Sequence, residues 1–130
     1  MKNISSLRSP RAGCSDLLYC LYDIGGADVD ILRQLNAGGE MSLDELAATL
    51  QRDRSTMHRS LSKLISTGMC YRRTSGLKGG GYFHMYGISD AGAMKRKVEN
   101  DVSEIIDSLR HLAERFNEDF PGILLFEKHG

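Results

Sequence analysis

The stretch SLDELAATLQRDRSTMHRSLSKLISTGMCYRRT, residues 42–74, predicts a short helix, a tight turn, a second helix and the beginning of a strand. Ser42 and Glu45 have the S-x-x-E spacing of a capping box, in which a hydroxyl and a carboxylate bind the free amides of a helix's first turn. Gly68 follows the second helix, where a left-handed cap is needed. Two short helices this close cannot each bury an apolar stripe alone, so we expect them to pack crosswise against a third as a helix-turn-helix.

Both helices of this pair are amphipathic. In the first, the apolar face consists of Leu43, Leu46, Ala47 and Leu50, which recur at helical spacing. In the second, the inward residues are Met57, Leu61, Leu64 and Ile65. Its outward residues are Arg54, Ser55, His58, Arg59, Ser62 and Lys63. Such a face suits phosphates and base edges.

The charges of the chain are segregated along the sequence, although the net charge of the 130 residues is zero. Ten Lys and Arg side chains and two Asp lie between residues 51 and 97, which gives that segment a charge of +8. The remainder carries −8. This distribution predicts a basic footprint on one part of an otherwise acidic protein.

Two segments rich in strand formers follow Gly68, at residues 69–74 and 82–88. The loop between them, SGLKGGG, is flexible and mildly basic. Together they predict a β-hairpin. Because it directly follows the second helix of the helix-turn-helix, such a hairpin would be a wing. A phosphate-binding enzyme loop is disfavoured, because GLKGGG matches neither a Walker A nor a dinucleotide motif and a strand follows it.

A long helix is expected from a cap at Ser89 or Asp90 to about Phe116. Its apolar residues are Met94, Val98, Val102, Ile105, Leu109, Leu112 and Phe116. From Val98 their spacing alternates between four and three, as in a coiled-coil seam. A helix of this size is roughly 40 Å long, too long for a small head to cover its whole seam. We therefore expect it to pair with a second copy, the alternative being that it folds over the protein's own first helix. The apolar tail, residues 117–130, is left unassigned.

We expect residues 1–14 to be a flexible arm, residues 15–88 a winged helix-turn-helix domain, and residues 89–130 the dimerisation helix and tail. Two helices, from about Ser15 to Ile24 and from near Asp28 to Gly38, begin the domain. The fold class is mainly α (α+β). No segment approaches the length of a membrane span and the N-terminus lacks a signal peptide, so we expect a cytoplasmic protein.

Metal, cofactor and enzyme chemistry are not expected. Cys14, Cys20 and Cys70 form no CxxC pair, so neither a disulfide framework nor a zinc site is implied; Cys70 is expected in the core. The four histidines show no ligand spacing, and no nucleophile-and-base constellation is present.

The order of these elements resembles the winged-helix transcriptional regulators. It is most similar to the archaeal TrmB-like group and more loosely to the MarR group. The motifs concerned are DRSTMHRSLSKLISTG (53–68), similar to their recognition helix, and KGGGYFHMYGI (78–88), similar to their wing and return strand. The resemblance covers residues 27 to about 116. Full-length TrmB proteins carry a sugar-binding domain without counterpart here, so no sugar effector is carried over and the effector stays unknown.

The resemblance implies a homodimer that binds double-stranded DNA, with the recognition helix in the major groove. Sequence readout would then fall to Ser55, Thr56, His58 and Arg59, with Arg59 able to bind guanine O6 and N7. Phosphate contacts would come from Arg52, Arg54, Ser62 and Lys63. Arg72 or Arg73 and Lys78 would reach the flanking backbone or minor groove. The competing hypothesis is a winged helix used for protein–protein contact in a transcription or adaptor complex.

Overall fold

The computed structural model describes residues 3–126, which form six α-helices and two β-strands. After a 3-10 helix (Ile4–Arg8), the elements are α1 (Cys14–Tyr22), α2 (Gly26–Gly38), α3 (Leu43–Leu50), α4 (Arg54–Ser66), β1 (Cys70–Gly76), β2 (Tyr82–Ile88), α5 (Ala91–Glu114) and α6 (Phe116–Phe126). The chain divides into two compact units between Met94 and Lys95. The expected mainly helical fold with a two-stranded hairpin is confirmed.

The core of the first unit lies where α2, α3 and α4 pack together. Its fully buried side chains are Ile31, Leu35, Leu46, Met57, Leu61 and Leu64. Three of the four residues predicted to face inward from α4 are therefore confirmed as buried. The fourth, Ile65, is half-buried. Because all three helices contribute to one core, the angle at which α4 is presented depends on all of them.

Local capping fixes both ends of the helix-turn-helix. The Ser42 hydroxyl accepts a hydrogen bond from the Glu45 amide at 3.1 Å, and the Glu45 carboxylate accepts one from the Ser42 amide at 3.0 Å. The predicted capping box is thus confirmed. Gln51 ends α3 in the left-handed region with φ 52°. Gly68 has φ 81° just after α4, which is the left-handed cap expected there.

The hairpin is antiparallel, with Cys70 opposite Ile88 and Gly76 opposite Tyr82. Gly79, Gly80 and Gly81 all have positive φ in the connecting loop, a backbone that only glycine adopts without strain. Met41 adds one isolated antiparallel bridge to Tyr86, with N–O distances of 3.0 and 2.8 Å. This bridge, which was not predicted, ties the hairpin to the segment before α3.

The segment expected to be a flexible arm, residues 1–14, contains a short 3-10 helix that was not predicted. Residues 4–8 form a 3-10 helix, capped by the Asn3 side chain accepting from the Ser5 amide at 2.9 Å. The next helix begins at Cys14. The remaining two residues of the expected arm, Met1 and Lys2, lie outside the described residues.

Asp90 caps α5, the helix that continues into the second unit, by accepting from the Ala93 amide at 2.9 Å. It is one of the two predicted caps. This helix ends at Glu114, and Phe116 begins α6. The tail left unassigned is therefore helical up to Phe126, despite Pro121 within it; its last four residues lie outside the described range. None of the helices within residues 3–126 is long and apolar enough to cross a bilayer.

Candidate nucleic-acid interface

The outward side of α4 is the centre of the candidate interface. Arg54, Ser55, His58, Arg59 and Ser62 are exposed, and Thr56 is half-buried. Four of them, Arg54, Ser55, His58 and Arg59, border one shallow concavity of about 430 Å³. The structure therefore brings most of the predicted readout residues together on the first two turns of one helix.

Arg59 presents its charge with few internal partners. One of its terminal nitrogens donates to the Thr56 hydroxyl at 3.4 Å, a long hydrogen bond. No carboxylate among residues 3–126 forms a salt bridge with it. Hydrogen bonding from Thr56 and, to a smaller extent, the charge of Arg59 lower the pKa of Asp53 at the start of the helix. The guanidinium donors of Arg59 are thus available to an external acceptor.

Arg52 and Arg54 each form an ion pair with a carboxylate of a neighbouring helix. Arg52 lies 3.0 Å from Asp30 of α2, and Arg54 lies 2.8 Å from Asp44 of α3. The second pair is open to solvent, with side-chain exposures of 70% and 78%. Exposed pairs of this kind contribute at most about 1 kcal/mol, so a phosphate can displace the carboxylate.

Lys63, for which a phosphate contact was predicted, makes contacts within the protein. Its ammonium donates to the Asp28 carboxylate at 3.0 Å and to the Asp23 carbonyl at 2.8 Å. Asp28 is only 3% exposed. Removing the lysine from this contact would leave a buried charge poorly compensated. Lys63 therefore holds α4 against the α1–α2 junction, and its ammonium group is engaged within the protein.

Arg72 and Arg73 lie on opposite faces of the hairpin, since side chains alternate along a strand. Arg73 donates to both oxygens of Glu40, with a closest distance of 2.8 Å, and the Tyr71 hydroxyl donates to the same carboxylate at 2.7 Å. These bonds, first from Arg73 and then from Tyr71, lower the pKa of Glu40. The Arg73 guanidinium is therefore engaged with Glu40 and helps to hold the hairpin in place. Arg72, by contrast, faces the side where α4 lies.

The wing loop carries Lys78, which is exposed beside three glycines of positive φ. A hydrogen bond from the Leu77 amide to the Gly81 carbonyl, at 3.1 Å, closes the loop. Nothing bulky follows Lys78 in the loop, so the backbone there can approach another molecule closely.

Several residues of this region were missed by the sequence interpretation. Asp28, Glu40 and Asp44 position basic side chains, and Tyr82 and His84 share the hairpin face of Arg72. The positions of Tyr82 and His84 could have been predicted, because strand alternation places residues 82, 84 and 86 on one face. The carboxylate partners had none, since they lie 10 to 35 residues away in sequence.

No group of His, Cys, Asp and Glu within residues 3–126 has the arrangement of a metal site. Cys70 is buried, as predicted, and burial raises the pKa of its thiol to about 12. Cys14 is exposed and Cys20 half-buried.

A helix-turn-helix followed by a hairpin that shares a face with the second helix defines a winged helix-turn-helix fold. Solved structures share it. A possible transcriptional regulator from Methanosarcina mazei Go1 superposes with a TM-score of 0.67 at 24% identity, over 78% of this chain and 87% of that one. The ST1889 protein from Sulfolobus tokodaii gives 0.56 at 25% identity, over 76% and 93%. The resemblance to winged-helix regulators is confirmed at the level of fold, and the TrmB-like subgroup stays a prediction.

Sequence relatives are also archaeal. The model of the HVO_A0114 family matches residues 26–79, from α2 to the wing loop. The Methanocaldococcus jannaschii protein MJ1503 is 24% identical over 75% of this chain and 74% of its own length. MJ1082 of the same organism is 27% identical over 82% and 85%. The similarity to each of these two proteins thus covers most of both chains.

Proposed function

We propose that this protein is a transcriptional regulator that binds a specific double-stranded DNA sequence as a homodimer. The observation that carries the proposal is the exposed first half of α4, where Arg54, Ser55, His58 and Arg59 border one concavity. A helix of this kind, packed on two others with its polar N-terminal half exposed, fits the major groove. The likeness to the Methanosarcina mazei protein, a possible transcriptional regulator, agrees with it.

Base readout is assigned to Ser55, Thr56, His58 and Arg59. Arg59 is the strongest of them, because its planar donors match the O6 and N7 acceptors of guanine. Arg52, Arg54 and Ser62 are assigned to phosphates beside the helix, and Arg72 and Lys78 to the backbone or minor groove on the wing side. Regulation would follow from occupancy of a promoter, which blocks or assists assembly of the polymerase.

The dimer is assigned to α5 and the beginning of α6. Ile105, Leu109 and Leu112 of α5 and Phe116 at the start of α6 are all exposed, and a run of large exposed apolar side chains marks an interaction surface. A second copy is the partner whose own seam matches this spacing. Two recognition helices would then read two half-sites of one duplex.

Selection of bound fragments from genomic DNA, followed by a mobility-shift assay over a range of salt concentrations, tests the function. We expect log K to fall steeply with log salt, by about 0.9 for each phosphate contacted. A parallel pull-down tests the protein–protein alternative. Capture of a protein partner together with absence of any duplex complex at low salt would contradict DNA binding.

Arg59→Ala tests the readout assignment. We expect a loss of about 1–3 kcal/mol on the selected sequence and a relaxed preference at one base pair. Arg33→Ala is the matched control, because Arg33 is a highly exposed arginine of α2 outside the α4 face. Equal affinity and selectivity of the two variants would show that Arg59 does not read a base.

A further inference from the structure

A cleft of about 480 Å³ lies between the recognition helix and the hairpin. Asp44 of α3 and Arg54 and His58 of α4 line one side of it. Arg72, Tyr82 and His84 line the hairpin side. None of these residues is buried, so the cleft is open to solvent and accessible to another molecule.

The strand register explains why these hairpin side chains converge. Arg72 is opposite Tyr86, Thr74 is opposite His84, and Gly76 is opposite Tyr82. Paired residues of an antiparallel ladder share a face, and positions two apart along a strand share it too. Arg72, His84 and Tyr82 therefore lie along the same face, whereas Arg73 lies on the other with Glu40.

The charge of the cleft favours an anion. Two guanidinium groups line it against the single carboxylate of Asp44, and the rings of His58 and His84 beside them offer hydrogen-bond donors. That carboxylate is bound to Arg54 at 2.8 Å in a pair that is open to solvent. No salt bridge is formed by Arg72 among residues 3–126. One guanidinium is thus free of carboxylates, and the other is held by a partner that an incoming anion can replace.

We propose that this cleft binds one phosphodiester of the DNA backbone and that Asp44 competes with it for Arg54. The proposal rests on the proposed function and adds a site and a regulating carboxylate to it. Arg72 and Arg54 supply charge-assisted donors to the phosphate oxygens. The backbone strand that crosses the cleft passes between the groove read by α4 and the groove reached by the wing.

His84 and Tyr82 complete the site. The ring nitrogen Nδ1 of His84 lies 2.9 Å from the Thr74 hydroxyl. When that hydroxyl donates, the neutral ring carries its hydrogen on Nε2, which becomes a donor for phosphate. Tyr82 is 79% exposed, and its ring offers an apolar surface to the deoxyribose next to the bound phosphate.

Arg72→Gln and Arg73→Gln form the matched pair that tests the cleft. The two residues are adjacent in β1, carry the same charge and face opposite sides. With Arg72→Gln we expect the slope of log K against log salt to shrink by about 0.9. The loss of affinity between 50 and 200 mM salt should then be about threefold smaller than in the wild-type protein. The loss should be equal on selected and unrelated duplexes, because a phosphate contact carries no sequence information. Arg73→Gln should keep the wild-type slope.

His84→Ala is a second variant on the same face, measured alongside in case the first one fails to fold. We expect it to weaken binding to both duplexes equally. Thermal unfolding of each variant confirms that the domain is intact. If one of these folded variants keeps the wild-type salt slope and affinity, the assignment of that side chain is overturned. If both variants keep them, the phosphate site in the cleft is overturned.

Asp44→Asn tests the competition between Asp44 and the phosphate for Arg54. In contrast to the other variants, it should strengthen DNA binding. Removing the carboxylate frees Arg54, and we expect about two- to fivefold tighter binding at low salt, in line with the strength of an exposed pair. The gain should vanish when Arg54→Gln is already present. A gain of equal size in both backgrounds would mean that Asp44 acts only through the general charge of the protein, which would overturn the competition.

Failure of the cleft and failure of the proposed function give different results. If the wild-type protein binds no duplex at low salt, DNA binding itself is contradicted. If it binds steeply with salt but the folded Arg72→Gln and His84→Ala proteins both keep the wild-type slope and affinity, only the phosphate site is contradicted.

Discussion

Asp28 is a carboxylate in the core, where burial would normally raise its pKa. Desolvation does so, but hydrogen bonds from Ser60, from the Gly25 amide and from Lys63, with the charge of that lysine, outweigh it, and the pKa is lowered. The same side chain caps α2 by accepting from the Gly25 amide at 2.8 Å. One carboxylate therefore caps a helix and anchors the recognition helix.

The lowered pKa of Asp28 has a consequence for acid stability. A carboxyl group whose folded pKa lies below the unfolded value of about 3.9 binds fewer protons when folded, so its stabilisation is complete at neutral pH. The stabilisation is lost as the pH falls through the unfolded and then the folded pKa. We expect Asp28→Asn to reduce the free energy of unfolding at pH 7 by about 1–3 kcal/mol, and the difference from wild type to narrow below about pH 4.

Urea unfolding of both proteins between pH 7 and pH 3 measures this difference. Asp107→Asn on α5 is a control, because this exposed carboxylate lies outside the buried network. A difference in the free energy of unfolding that stayed constant with pH would show that ionisation of Asp28 does not contribute to stability.

At the scale of elements, the hairpin depends on one close contact. Gly87 is buried opposite Tyr71, and a Cβ atom built on it would lie 2.3 Å from the tyrosine ring. The tyrosine cannot withdraw freely, because its hydroxyl donates to Glu40 at 2.7 Å. The glycine therefore allows the ring to lie across the strand and Glu40 to hold both Tyr71 and Arg73.

Gly87→Ala should destabilise the domain, since the tyrosine must move and lose its hydrogen bond to Glu40. Crowding of this kind typically costs about 1–3 kcal/mol. Gly76→Ala is the matched control in the same hairpin, because no atom lies within 4 Å of its added Cβ. Thermal unfolding compares them. We also expect the effect of Gly87→Ala to be mostly abolished when Tyr71→Ala is already present, and an unchanged effect would contradict the contact.

Strand β1 shows why the sequence could not choose between Arg72 and Arg73 as the residue that reaches the DNA backbone or minor groove. Sequence spacing gives Arg72 and Arg73 opposite faces, but it does not say which face turns toward α4. The bridge between Met41 and Tyr86 and the bonds to Glu40 decide this, and both involve residues from before α3. The ambiguity was therefore resolved by contacts across more than 30 residues of sequence.

At the scale of the whole molecule, the second unit presents the apolar seam on which the proposed dimer depends. Leu109 and Leu112 are 48% and 59% exposed. Ile106, which the heptad pattern did not include, is 42% exposed beside them. Phe116 stacks on Phe120 within α6, with ring centroids 4.9 Å apart. The exposed apolar surface is thus wider than the predicted heptad seam, and it includes residues of α6.

Leu109→Asp should disrupt the dimer, because a charge buried in a helix–helix seam has no partner there. By light scattering we expect the wild-type protein at twice the chain mass of 14.4 kDa and the variant at that mass itself. Ser108→Asp introduces the same charge one residue earlier, at an exposed position off the seam, and should remain dimeric. A monomeric wild-type protein at micromolar concentration would rule out the dimer.

The sequence alone determined the helix-turn-helix, the wing and most of the basic face of α4. These features are local, because capping boxes, 3.6-residue periodicity and glycine-rich turns act within a few residues. The helical nature of residues 116–126 was missed, since Pro121 and an apolar run give no amphipathic pattern. The 3-10 helix at residues 4–8 was missed because a polar segment with Pro and Gly resembles a coil.

Only the tertiary structure decided which basic residues are free. Lys63 and Arg59 look alike in the sequence, yet one neutralises a buried carboxylate and the other faces outward. Their difference depends on Asp28, which is 35 residues from Lys63 in sequence. Burial makes that carboxylate costly to leave alone, and burial is a property of the packed helices rather than of any local pattern.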